Sequence, residues 1–173
     1  MNVAVLGAGT AGREIAQVCA LGGNDVMLHA REASAAMDAL DDVTHRLEAA
    51  GADAATDRLE ATTGLHAAVG DALVVIETAT DDAAPLQRRF ADIEEHAARE
   101  TLVTTSQPML SVTAAAAGLR HPDRALGLHV HQPLDTRLVE VVVTEQTSAG
   151  ATDLAGSFVD TLDAVPAVVT DTP

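Results

Sequence analysis

Short apolar runs alternate along this chain with longer stretches in which apolar residues recur every three or four positions. The runs read as buried strands, and the stretches as helices with one face turned inward. Asn2-Val3-Ala4-Val5-Leu6 opens the series as a branched apolar strand, and residues 13–21 read as a helix that Gly22-Gly23-Asn24 stops. A second strand is predicted over 25–29, then an alanine-rich helix over 32–50 with Met37, Leu40, Val43 and Leu47 near one face. Gly51 ends it, residues 52–57 form a loop or short turn, and a short third strand follows over 58–63. A helical turn over 65–69 leads to the buried strand Leu73-Val74-Val75-Ile76, with Glu77 just past its end. Asp81-Asp82 is placed to cap a helix over 84–98. A strand over 101–105, a helix over 112–117, strands over 125–129 and 138–143, a helix over 148–162 and a last strand over 167–170 complete the pattern. This alternation predicts an α/β fold with a doubly wound, mostly parallel sheet. The two neighbouring strands within 125–143 predict one antiparallel pairing at its far edge. No repeat, linker or low-complexity tract divides residues 1–173, which read as a single domain.

The turn between the first strand and the first helix is Gly7-Ala8-Gly9-Thr10-Ala11-Gly12. With a strand before it, a helix after it and a second strand beyond, this is the Rossmann-type dinucleotide-binding fingerprint in its required context. Gly7 permits the tight turn, Gly9 lets the backbone approach a pyrophosphate, and Gly12 allows the helix to lie close on the strand. The helix start, with Thr10 and Ala11, supplies unpaired N–H groups and positive dipole to the phosphates.

Composition narrows the rest. Apolar residues make up 47% of the chain but aromatics only 1%, so the core is built largely from small side chains. The chain lacks the run of about 18 apolar residues that a transmembrane helix needs. It enters its first strand without a basic leader, so a cytoplasmic protein is expected. The lone Cys19 falls inside the first helix pattern and reads as a small buried thiol, which fits a reducing compartment. Asp and Glu number 26 against 10 basic residues, all of them arginine, for a net charge of −16. That balance argues against nucleic acid and anionic membranes as partners. An acidic, lysine-free, alanine- and threonine-rich surface resembles proteins of salt-loving organisms, where a Debye length of about 3 Å at 1 M salt screens self-repulsion. An ordinary acidic protein from a GC-rich genome is the alternative. His45, His66, His96 and His121 are too scattered to hold a metal, and none is expected. Asp41-Asp42 and Glu94-Glu95 read as solvated helix faces.

Several segments in order carry a family likeness. They are the opening Val3–Gly12 segment, Ile15-Ala16-Gln17-Val18, and Asp71-Ala72-Leu73-Val74-Val75-Ile76-Glu77. They continue with Gly127-Leu128-His129, Pro133, Leu138-Val139-Glu140-Val141-Val142, and the closing Val168-Val169-Thr170-Asp171-Thr172-Pro173. Together they resemble the N-terminal domain of the 3-hydroxyacyl-CoA dehydrogenase family across essentially the whole chain. The resemblance implies hydride transfer between a nicotinamide and a 3-hydroxyacyl or 3-oxoacyl thioester. It implies His129 as the base for the hydroxyl proton and Glu140 as the residue that orients it. His129 ends a predicted strand at the sheet's carboxyl edge, where ligands bind in this architecture, although a satisfied structural histidine could occupy the same place. One residue fewer separates His129 from Glu140 than in the family, a deletion the connecting loop can absorb.

The resemblance also implies NAD, held by Gly7, Gly9, Thr10, Ala11 and Gly12, with Ala30, Arg31 and Glu77 further along the cleft. The family usually has an aspartate where Ala30 stands, followed here by Arg31. A small residue followed by arginine suits a 2′-phosphate, so NADP is also admissible, unless Arg31 is merely a solvated helix-start residue. Where the family has serines near its substrate hydroxyl, Ser106-Gln107-Pro108-Met109-Leu110 aligns, leaving Ser106 as the substrate-contact candidate. Gln132 replaces a family asparagine, with His131 beside it. The family continues into a helical domain that closes the site and forms the dimer. An acyl-CoA-type substrate, a separate helical domain or subunit, and a homo-oligomer are therefore expected partners. The alternatives are a non-catalytic NAD(P)-binding module, or a dehydrogenase or reductase of another small hydroxy or imino acid.

Overall fold

In the computed structural model, which describes residues 1–130 and 137–171, the strand β1 (Asn2–Leu6) occupies the middle of the fold with parallel neighbours on both sides. Its residues from Val3 onward are all buried, as a continuous apolar run requires. Val3 and Val5 point into one core layer, Ala4 and Leu6 into the other. The first layer is completed by the helices α1 (Thr10–Leu21), α2 (Ala33–Ala49) and α6 (Ala149–Thr161). The second is completed by α3 (Leu65–Val69), α4 (Ala83–His96) and α5 (Val112–Ala116).

The remaining strands are β2 (Asp25–His29), β3 (Leu59–Thr62), β4 (Val74–Glu77), β5 (Leu102–Thr105), β6 (Ala125–Val130), β7 (Leu138–Val143) and β8 (Val165–Thr170). They form one eight-stranded sheet in the order β3-β2-β1-β4-β5-β6-β7-β8. The chain steps outward from β1 to β3, returns to β4 on its other side, and continues to β8. That reversal at β1 and β4 opens a crevice at the strands' carboxyl ends. The doubly wound, mostly parallel α/β sheet predicted from the apolar pattern is thus the observed fold.

Four details depart from the sequence reading. The antiparallel pairing is β6 with β7, but β8 lies outside β7 and parallel to it, so the reversal falls one strand in from the edge. The α6 crossover is what lets β8 run parallel to β7. β8 begins two residues earlier than predicted because Pro166, which lacks an N–H, is tolerated on an edge strand. In α2 the buried face is Ala36, Ala39, Val43 and Leu47, while Met37 is 52% exposed; the alanines let the helix lie close on its neighbours. Asp82 precedes α4, yet its side chain accepts no hydrogen bond from the first turn.

Glu94 is the largest correction. Its side chain is only 4% exposed, and it accepts hydrogen bonds from the Arg120 and His121 amides at 2.8 and 3.0 Å, with the Arg124 guanidinium at 3.3 Å. Burial pushes its carboxyl up, but these donors outweigh burial and hold it below the usual range. It anchors α4 to the turn before β6. Cys19 is buried as expected, and burial pushes its thiol up to about 12, which removes it from thiolate chemistry. Among the described residues no helix is long and apolar enough to cross a membrane, and no cluster of metal-ligating side chains occurs.

Candidate active site

Leu6, His29 and Glu77 end β1, β2 and β4 side by side. The Gly7 amide bonds to the His29 carbonyl at 2.9 Å, so the glycine turn is pinned to the neighbouring strand as it leaves β1. Gly7 has φ of 134°, in the region that favours glycine, and a Cβ there would strike the Thr78 hydroxyl. A Cβ on Gly12 would collide with the Gly7 carbonyl oxygen. Gly9 is different: it has extended backbone, and a Cβ would meet nothing within 4 Å. Two glycines therefore serve the fold, and the third keeps open the space a ligand would use.

Thr10 and Ala11 are exposed at the start of α1, and the Arg13 amide bonds back to Gly9 O at 3.0 Å. The preceding helix amides have no partner four residues back, which leaves donors open at the start of α1. The Arg13 side chain braces the turn, donating to Ala8 O at 2.9 Å and pairing with Asp42 at 3.4 Å.

A cleft of about 660 Å³ opens beside this turn. Gly7, Gly9, Ala30, Arg31 and Glu77 line it, which brings together most of the residues the sequence assigned to a cofactor. Gly12 lies buried beneath the turn. Glu77 is the last residue of β4 rather than the first beyond it, and it is buried. Burial raises its pKa, opposed by the donors it holds: the Ala79 and Thr80 amides at 3.1 and 3.2 Å and the Thr80 hydroxyl at 2.8 Å. It shapes the loop that floors the cleft. The sequence reading missed His29, Arg88 and Arg89, which also line it. The signal was present in the Arg88-Arg89 pair beside the buried Phe90, on the helix that follows β4.

The second group of candidates sits at the other half of the sheet. The β6–β7 register places His129 directly opposite Glu140, with Nδ1 and Oε2 3.5 Å apart. The His129 side chain is 10% exposed and that of Glu140 35%. They line a cavity of about 250 Å³ with Pro108, Met109, Ser111 and Asp171. Asp171 accepts from the Ser111 hydroxyl at 2.9 Å and the Thr113 amide at 2.8 Å, tying the chain after β8 to α5. Ser106 faces elsewhere: its amide and hydroxyl both donate to Glu77 O, at 2.9 and 3.3 Å. Ser111, not assigned from the sequence, is the serine that shares the His129 cavity. Gln132, His131 and Pro133 lie outside the described residues, as does most of the connection carrying the deletion.

The sequence model of the 3-hydroxyacyl-CoA dehydrogenase NAD-binding domain matches residues 2–172. The chain belongs to this family. Its curated relatives include 3-hydroxyadipyl-CoA dehydrogenase of Escherichia coli, 36% identical over 158 residues that make up 86% of this chain and 33% of that protein. The 3-hydroxybutyryl-CoA dehydrogenase of Clostridioides difficile is 28% identical over 182 residues, covering 100% of this chain and 65% of that protein. Among solved structures, the 3-hydroxybutyryl-CoA dehydrogenase of Escherichia coli K12 superposes with a TM-score of 0.93 at 33% identity, covering 100% of this chain and 39% of the other. The chain thus spans from a third to just under two thirds of the length of these dehydrogenases. The matched model is that of an NAD-binding domain, and the fold is that of the N-terminal domain of these dehydrogenases.

Proposed function

We propose that residues 1–173 form a single dinucleotide-binding domain that works in a 3-hydroxyacyl-CoA dehydrogenase-type oxidoreductase. The observation that carries this reading is the His129–Glu140 pair, held face to face at the same half of the molecule as the carboxyl ends of the parallel strands. Gly9 and the Thr10 and Ala11 amides hold the pyrophosphate on a turn that Gly7 and Gly12 shape, and Ala30, Arg31 and Glu77 line the way to the adenosine ribose. The open space at Gly9 and the volume of the cleft suit that group. When bound in this cleft, a nicotinamide cofactor would supply the acceptor for the hydride that leaves C3 of the hydroxyacyl thioester. His129 takes the hydroxyl proton as the carbonyl forms, and Glu140 stabilises the resulting imidazolium. In the reverse direction the same proton returns to the alcohol.

An acyl-CoA-type substrate needs a second wall to its cleft, and the additional length of the relatives suits a helical domain or subunit that supplies one and mediates oligomerisation. Gln132 is kept as a substrate-binding candidate; Ser106 is one only if its hydroxyl turns away from Glu77 O. The buried thiol of Cys19 suits a cytoplasmic setting, and the lysine-free charge of −16 suits molar salt. A second reading, a non-catalytic NAD(P)-binding module, is favoured by Pro108 and Met109 lining the His129 cavity in place of polar residues.

Reduction of a 3-oxoacyl-CoA in molar salt separates the two. Wild type is expected to turn over with a helical partner supplied, and His129→Ala to lose about 10²–10⁴ of the rate while still binding nucleotide. Nucleotide binding with no turnover in any combination would falsify the enzyme reading.

A further inference from the structure

The ten basic residues of this chain are all arginines. Seven of them pair with carboxylates: Arg13, Arg46, Arg58, Arg99, Arg120, Arg124 and Arg137. Among the described residues the other three, Arg31, Arg88 and Arg89, make no ion pair within 4 Å, and all three line the cleft beside the glycine turn. Glu32, Glu77, Asp81 and Asp92 line the same cleft, yet none of them closes an ion pair with these three guanidiniums, and three unpaired guanidiniums in one cleft mark a site for an anion brought from outside.

Arg89 carries the argument furthest. It is half-buried, and its Nη2 lies 3.3 Å from Nδ1 of His29. His29 is buried at the end of β2, and burial first, then Arg89, lowers its pKa, so at neutral pH the ring is an uncharged acceptor. The Arg89 charge is therefore left uncompensated by its nearest partner. Arg31, from the start of the chain after β2, is close enough to repel it. Glu77 and then Asp92 attract Arg89 more strongly than Arg31 repels it, but neither reaches ion-pair distance, and Glu77 is already engaged by the Ala79 and Thr80 amides.

The location identifies the anion. In a Rossmann-type cleft an acidic side chain about 20 residues beyond the glycine turn accepts from the ribose 2′-hydroxyl. Here that place is held by Ala30, whose amide is fixed to Thr62 O at 3.2 Å and whose methyl accepts nothing. We propose that Arg31 and Arg89 form a 2′-phosphate site at the end of β2, with Arg88 at its rim, so that the cleft takes NADP(H) in preference to NAD(H). The inference rests on the nucleotide-binding reading of the cleft. Arg31 and Arg89 come from different elements and flank one position, the arrangement that suits bidentate capture of a dianionic phosphate.

The test is titration of the purified chain with NADPH and with NADH, in wild type, Arg31→Ala and Arg89→Lys. Wild type is expected to bind NADPH at least about tenfold more tightly. Arg31→Ala is expected to cut the NADPH-over-NADH ratio by about tenfold, and Arg89→Lys, which keeps charge but loses the fork, by several-fold. The exposed Arg31 is not part of the core, so its variant keeps the test sound if Arg89→Lys folds poorly. Equal wild-type affinities, or a ratio that neither variant moves, overturn the 2′-phosphate site while leaving the nucleotide cleft intact. Binding of neither nucleotide overturns both.

Discussion

The two halves of the sheet hold their chemistry in different ways. Around β1, β2 and β4 the candidate ligand contacts are mostly backbone: Gly7, Gly9 and the first amides of α1, fixed by the Gly7–His29 bond. Around β6 and β7 they are side chains, His129 and Glu140, set opposite each other by antiparallel register. A backbone site is specified by consecutive residues and depends on which positions lack a Cβ. A side-chain pair is specified by register across two strands, so it tolerates changes in the connecting loop but not a slip of one residue, which would turn one partner to the opposite face. The first site is therefore sensitive to added atoms, and the second to lost ones.

Gly12→Ala tests that contrast most severely. Its Cβ would meet the Gly7 carbonyl oxygen, so α1 must move off β1. Overpacking of this kind costs about 1–3 kcal/mol of stability. If the displacement carries to the pyrophosphate amides, the same energy corresponds to a loss of roughly 5- to 150-fold in nucleotide affinity. Thermal unfolding and nucleotide titration read the two effects. A variant with wild-type stability would break the view that Gly12 serves helix–strand contact.

Gly9→Ala sharpens the contrast within the turn itself. Nothing lies within 4 Å of its Cβ, and its φ of −76° suits alanine. Stability is expected to stay level or rise by up to about 1 kcal/mol, because alanine restricts the unfolded chain. Nucleotide affinity is expected to fall about tenfold, near 1.4 kcal/mol, since the methyl stands where the pyrophosphate approaches. A stable variant that binds nucleotide normally would move the phosphates away from Gly9.

The difference between the halves also explains what could be read from the sequence. The strand–turn–helix at residues 2–21 was legible because every interaction that fixes it is local. The apolar runs likewise located the central strands β1, β4 and β5, since a buried parallel strand is continuous in hydrophobicity, whereas the edge strands β3 and β8 are only partly buried. Glu94 was not legible as a buried group: its donors, Arg120, His121 and Arg124, lie 26 to 30 positions away, and beside it Glu95 is an exposed helix residue. Arg89 meets His29 across 60 positions, through a crossover helix whose rotation the apolar pattern gives only coarsely. Ser106 and Ser111 were likewise indistinguishable by residue type. The loop between them decides which one lines the His129 cavity, and Ser111 does so because it caps α5 and bonds to Asp171.

That last contact gives the smallest effect. Asp171 fastens the end of β8 to α5 through the Ser111 hydroxyl and the Thr113 amide, and it lines the cavity shared by His129 and Glu140. Burial raises its pKa, but the Thr113 and Ser111 donors outweigh burial and leave it below the ordinary carboxylate value. A carboxyl depressed on folding contributes stability above its unfolded pKa, near 3.9, and loses that contribution as pH falls through the folded value. Asp171→Asn should therefore cost about 1 kcal/mol at neutral pH, the scale of a capping interaction. The gap between variant and wild type should close as pH falls below about 4. Denaturant midpoints at neutral and acid pH measure both. A gap independent of pH would mean that Asp171 acts by shape rather than charge, and the two halves of the sheet would then differ less in their chemistry than their geometry implies.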